Sequence, residues 1–108
     1  LGVDRWLTMI AAFHLIQENK PLCVVDCGTC ITVDVLNHQG IHAGGLILPG
    51  VQTMRQAVLK SAVGCKASLP QNTQAKHNHF LAKNTQDGVQ AGTLFAAVAY
   101  LDRLFKEI

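Results

Sequence analysis

Charge is scarce in this sequence, and neither sign of it prevails. Of 108 residues only 15% are charged, with Lys+Arg 9 against Asp+Glu 7 and a formal net charge of +2. Lys60, Lys66, Lys76 and Lys83 are scattered, so no basic run exists to follow a phosphate backbone, and nucleic acid is excluded as a partner. No uninterrupted apolar stretch approaches the roughly 20 residues that cross a bilayer. No charged segment precedes a short apolar one at the start, and the expectation is a soluble, unexported, cytoplasmic protein without a membrane partner. Internal repeats and low-complexity tracts are also missing. What is there is apolar: 49% of the residues are hydrophobic, which excludes wholesale disorder. A unit of this size can bury roughly two thirds of the surface its unfolded chain exposes. The length suits one domain or part of a larger one. Because the sequence begins at Leu1 and stops at Ile108 inside a helical pattern, residues 1–108 are expected to be a single, incomplete domain of a longer protein.

Four cysteines, Cys23, Cys27, Cys30 and Cys65, raise the question of a metal. Cys23-x3-Cys27-x2-Cys30 has the spacing of an iron–sulfur ligand loop, but such a cluster needs its thiolates on a flexible wrap of backbone. Cys23 lies inside Leu22-Cys23-Val24-Val25, a strand-like run that cannot turn toward Cys30 without breaking its ladder. A zinc site completed by His77 or His79 lacks finger-type spacing. Buried, reduced thiols are therefore expected.

Along the chain, Trp6, Met9, Ile10, Phe13 and Ile16 recur at helical intervals, with Asn19-Lys20-Pro21 as a stop. Leu22 to Val25 suits a strand buried on both faces. Ile31, Val33 and Val35 then alternate with Thr32 and Asp34, which predicts a second strand paired antiparallel with the first through a tight turn at Gly28. Asn37 to Gly40 is a turn by composition. Ile41 to Leu48 is a third strand whose Gly44 and Gly45 admit a close approach by a backbone or a ligand. Val51 to Leu59 reads as a helix, Ser61 to Lys83 as a long surface connection, and Thr85 to Ile108 as a helix with Ala91, Leu94, Val98, Leu101 and Phe105 in register. On that last helix Gly88, Gly92 and Ala96 make a small-residue stripe, suited either to packing within the domain or to a subunit boundary.

Three segments carry chemistry. In Asp26-Cys27-Gly28-Thr29-Cys30-Ile31-Thr32 an acid stands where a strand emerges, followed by a glycine turn whose Gly28 and Thr29 amides can point at phosphate oxygens. Asp26 repels phosphate, so its useful role is to hold a cation that neutralises it. The same residues also fit an ordinary hairpin whose Asp caps its own backbone. Asp4-Arg5 pairs a carboxylate able to accept a proton with a guanidinium able to fork onto a carboxylate, or else caps a helix beside a solvated Arg. Asn84-Thr85 is a helix cap that can also offer a hydroxyl and amides to a ligand.

In order along the chain, G-V-D-R at 2–5, D-C-G-T-C-I-T at 26–32, G-G-L-I-L-P-G at 44–50, Leu69-Pro70, K-N-T at 83–85 and G-V-Q-A-G at 88–92 resemble the type III pantothenate kinase family, also known as the Bvg accessory factor family. The resemblance implies the actin-like ATPase fold (the superfamily of acetate and sugar kinases, Hsp70 and actin), with two ribonuclease-H-like domains around the nucleotide, of which residues 1–108 would be most of the second. It implies a homodimer that phosphorylates pantothenate with ATP, the first step toward coenzyme A, using Mg2+ and a monovalent cation, potassium or ammonium. By motif, Gly2, Val3, Asp4 and Arg5 would bind pantothenate, with Asp4 as proton acceptor for its hydroxyl. Asp26 would sit at the monovalent cation, Gly28 and Thr29 at ATP, and Thr85 at pantothenate near the dimer boundary. The family's earlier domain, with its own phosphate turn, and its segments beyond the last helix have no counterpart here. Cys30 stands where the family commonly has a small residue. The competing expectation is a non-catalytic regulatory or interaction protein of the accessory-factor type with the same fold.

Overall fold

The computed structural model describes residues 2–16, 19–61 and 81–108. The elements run α1 (Val3–Leu15), β1 (Leu22–Cys27), β2 (Cys30–Leu36), β3 (His42–Pro49), α2 (Val51–Ser61) and α3 (Thr85–Glu107). The chain is α/β and divides into two compact units, Leu1–Pro49 and Gly50–Ile108.

In the first unit the three strands form an antiparallel meander in the order β1-β2-β3, with Asp26 opposite Thr32 and Cys27 opposite Ile31 around the Gly28 turn. The expected hairpin is present, but burial falls on a different strand from the one expected. Leu22, Val24 and Val25 of β1 are only partly buried, whereas Ile31, Val33, Asp34 and Leu36 of β2 are buried. The reason is position: β2 is flanked on both sides, and β1 is an edge of the described sheet. Cys23 and Cys27 on that edge strand and Cys30 at the hairpin tip are exposed, which corrects the expectation of buried thiols. Cys65, His77, His79 and Leu69-Pro70 lie outside the described residues.

Helix α1 begins one residue before Asp4. Its N-cap is Gly2, in extended conformation and without a side-chain capping bond, so Asp4 is not the cap. Asp4 instead lies in the first turn, where a carboxylate suits the positive end of the helix dipole. Of the apolar stripe, only Met9 is buried; Trp6, Ile10, Phe13 and Ile16 remain exposed, because α1 meets the sheet mainly along β1 rather than across its full width.

Strand β3 contains a bulge. Val35 pairs with Gly44 but Leu36 pairs with His42, so Ala43 is an extra residue between them. Gly44 there has φ +141, a backbone conformation that L side chains rarely adopt. Side chains alternate between faces along a strand, so the inserted residue turns His42 onto the face that Asp34 and Gly45 share. A regular strand would point His42 the other way.

In the second unit α2 packs against α3. The buried side of α3 carries Gln90, Thr93 and Ala97, not the expected stripe, and Leu94, Val98 and Phe105 stay exposed. A polar latch accounts for the rotation: Arg55 Nε donates to Thr93 Oγ1 at 2.9 Å and its Nη2 to the Gln90 carbonyl at 3.1 Å. Added Cβ atoms at Gly88 and Gly92 would meet nothing within 4 Å, so no close helix approach uses the small-residue stripe among the described residues. No described helix is long and apolar enough to cross a membrane.

Candidate active site

The first unit gathers its chemistry on the face of the sheet that α1 covers. Arg5 projects from the first turn of α1 onto Asp34 in the middle of β2, with Nε to Oδ2 at 2.9 Å and Nη2 to Oδ1 at 2.5 Å. Two parallel N–H donors meeting two carboxylate oxygens make a charge-assisted fork, the strongest common form of such a pair. His42 joins it, with Nε2 at 2.9 Å from Asp34 Oδ1. An ionised carboxylate only accepts, so His42 carries a proton on Nε2 and donates it.

Asp34 is buried, with its side chain 3% exposed. Burial by itself pushes its carboxyl upward, but the hydrogen bonds from Arg5 and His42, with their charges, outweigh that effect and hold it below the ordinary carboxylate range. Arg5 is pushed up in turn, first by its hydrogen bond to Asp34. The Cys23 thiol, although exposed, is also pushed up, by partial desolvation and then by the charge of Asp34.

Gly45, opposite Asp34 in the β2–β3 ladder, is required by this pair. A Cβ there would overlap Asp34 Oδ1, lie 2.6 Å from the Val33 carbonyl oxygen and 2.9 Å from Arg5 Nη2. Gly45→Ala is therefore expected to lower stability by about 1–3 kcal/mol, the usual cost of overpacking. Thermal melts of the two proteins at neutral pH check this, and a melting temperature equal to wild type would show that the ion pair yields without cost.

A small pocket beside the pair is lined by Arg5, Thr8, Val24, Asp26, Thr32 and Asp34. Two sequence-predicted site residues, Arg5 and Asp26, thus share one pocket although one comes from a helix and the other from a strand. With Arg5 neutralised by Asp34, Asp26 is the uncompensated charge there, since no ion-pair partner of Asp26 occurs among the described residues. Its carboxylate and the hydroxyl of Thr32 across the ladder are hard oxygen donors of the kind that suit an alkali or alkaline-earth cation.

Asp4 is next to Arg5 in the helix but does not line this pocket; it is exposed at the helix start, its carbonyl accepting from Thr8 Oγ1 at 2.8 Å. Gly2 and Val3 are exposed beside it. Gly28 and Thr29 form the exposed hairpin tip. The Gly28 N–H does not point outward as expected; it donates to the Cys30 carbonyl at 2.9 Å within the turn, which corrects the reading of that amide as a phosphate donor. Space above Gly28 is open, and a Cβ added there would meet nothing within 4 Å.

In the second unit Asn84 is the N-cap of α3, accepting from the Asp87 N–H at 2.8 Å while its Nδ2 donates to Asp87 Oδ2 at 2.8 Å. Thr85 opens the helix and is exposed.

Asp34 and His42 were not singled out by the sequence pattern. Alternation placed Asp34 with Thr32 on a polar face, and Gly44 and Gly45 marked only a place for a close approach by a backbone or a ligand. His42 carried no signal at all, because the bulge that re-aims it depends on pairing with β2.

The model of the type III pantothenate kinase family matches residues 1–107. Curated relatives include type III pantothenate kinases of Nitrosococcus oceani, 38% identical over 100% of this chain and 40% of the relative, of Hydrogenovibrio crunogenus, 38% identical over 99% and 41%, and of Pseudoalteromonas translucida, 40% identical over 95% and 42%. The chain thus spans about two fifths of the length of these relatives. With a match along almost all of its own length, the chain belongs to the type III pantothenate kinase family.

Proposed function

We propose that the protein carrying this sequence transfers the γ-phosphoryl group of ATP to the hydroxyl of pantothenate, the first step of coenzyme A biosynthesis. The observation that carries the reading is the shared pocket, in which Arg5 of the G-V-D-R motif and Asp26 of the D-C-G-T turn meet although they lie on different elements. Phosphoryl transfer asks a protein mainly for alignment and charge neutralisation; Arg5 would align the acceptor, and Asp26, itself anionic, would contribute neutralisation only through the cation it holds. Arg5 forks toward the carboxylate of pantothenate. Asp4, exposed beside it, takes the hydroxyl proton as the new O–P bond forms and the bond to the leaving ADP breaks.

Asp26 with Thr32 would hold the monovalent cation, potassium or ammonium, which supplies positive charge beside the phosphates. Magnesium would be carried by the phosphates of ATP, as its small size and reluctance to shed water favour. Thr29 contacts ATP at the hairpin tip, over the open space at Gly28, whose own N–H stays in the turn, and Thr85 contacts pantothenate. The wider frame is the actin-like ATPase fold, with this chain as most of the second ribonuclease-H-like domain of a cytoplasmic homodimer.

The test is a coupled assay of ATP-dependent pantothenate phosphorylation by the protein expressed from its complete gene, in potassium and in sodium. Turnover that depends on potassium supports the reading. Absence of turnover in both salts overturns it and favours the regulatory accessory-factor role.

A further inference from the structure

The Arg5–Asp34–His42 cluster has a direction. Arginine has five N–H donors, and Asp34 takes the Nε–Nη2 edge of Arg5. Among the described residues the remaining donors, on Nη1 and the second hydrogen of Nη2, have no partner. Asp34 cannot swing away, because it is buried, flanked by Val33 and Val35, and held at Oδ1 by His42 as well as by Arg5. His42 stands there only because of the Ala43 bulge, and the Asp34 and Arg5 side chains have room only because position 45 is glycine. Three separate features of β2 and β3 therefore converge on one guanidinium.

We infer that Asp34, itself held by His42, is a positioning residue for the acceptor substrate: it clamps one edge of Arg5 so that the other edge stands ready for a carboxylate. This rests on the reading of Arg5 as the group that binds the pantothenate carboxylate. A guanidinium pinned before the substrate arrives loses less freedom on binding than a free one, and the gain appears in affinity for the anionic substrate. Gly28 and Thr29, the residues proposed for ATP, lie at the hairpin tip and do not line the pocket beside Arg5. Asp34 thus sets acceptor affinity and carboxylate selectivity without contacting the substrate.

Steady-state kinetics of the full-length protein with pantothenate and with its carboxamide, in which the carboxylate is a neutral amide, distinguish this role from a merely structural one. In Asp34→Asn the KM for pantothenate is expected to rise about 10–100-fold, the usual consequence of a misplaced binding group. The KM for ATP stays at its wild-type value, and kcat/KM for the carboxamide changes far less than that for pantothenate. His42→Ala, at a partly exposed side chain, keeps the fork and should produce the same selective effect at smaller size; where Asp34→Asn does not fold, this variant decides. Equal loss for pantothenate, its carboxamide and ATP would overturn the inference, as would an unchanged KM for pantothenate. An inactive wild-type protein would remove the phosphorylation reading and this inference together, whereas an active one with unselective variants removes this inference alone.

Discussion

Asp4→Asn in the full-length protein is expected to lower kcat for pantothenate phosphorylation by about 10²–10⁴-fold, the range a positioned general base contributes. The change keeps size and hydrogen-bonding capacity but removes the ability to accept the hydroxyl proton. Among the described residues the Asp4 carboxylate has no hydrogen-bond or ion-pair partner, and Asp4 is exposed, so the helix should survive the change. Its small favourable interaction with the helix dipole is the only structural loss. ATP affinity and the melting temperature should therefore stay near wild type while turnover collapses. Unchanged turnover would remove Asp4 from the proton-accepting role, and a large fall in melting temperature would assign the loss to folding instead.

The second large effect belongs to Arg5→Met. Pantothenate affinity should fall about 10–100-fold, the equivalent of a lost hydrogen-bonded charge. Stability should fall as well, in a pH-dependent way whose sign follows from Asp34. The folded-state carboxyl of Asp34 is held below its ordinary value, which is about 3.9 in an unfolded chain. Such a group contributes stability that is fully present above the unfolded value and is lost as pH falls through the folded one. Removing the guanidinium deletes most of that contribution. Wild type should thus exceed Arg5→Met in stability most clearly at about pH 6–7, and the gap should narrow as pH falls below the ordinary carboxylate value of about 4. Denaturant melts of both proteins across that range test it. A gap independent of pH would mean that Arg5 stabilises α1 through its aliphatic stem rather than through the ion pair.

Both predictions concern residues visible in the sequence, yet what surrounds each was visible to different degrees. The meander of β1, β2 and β3 could be read from alternation and turn residues because those signals are local. Asn84 as the cap of α3 could be read for the same reason: its side chain satisfies an amide three residues away. Asp26, Gly28, Thr29 and the Asp4-Arg5 pair stood out because their types and order carry the chemistry of phosphate and carboxylate handling.

Burial was less legible. The continuous apolar run of β1 looked like an inner strand, but β2 lies inside, and an alternating strand between two neighbours buries its Asp34 together with its valines. The stripe on α3 was displaced by a polar contact, Arg55 on Thr93 and Gln90, that hydrophobic periodicity cannot register. The cysteines were exposed because they occupy an edge strand and a hairpin tip, and a chain position does not reveal which strand is the edge.

By itself the sequence determined the family and the strand meander and nominated the groups proposed to bind and react, since each depends on residue types and short-range order. Only the tertiary structure decided what Arg5 is tied to and which way its free edge is left. That depends on Asp34 coming from 29 positions away and on a bulge turning His42 across the ladder, both consequences of strand register. A carboxylate on a strand is ordinary in one register and the anchor of a guanidinium in another, and register is set by pairing between strands rather than by any one of them.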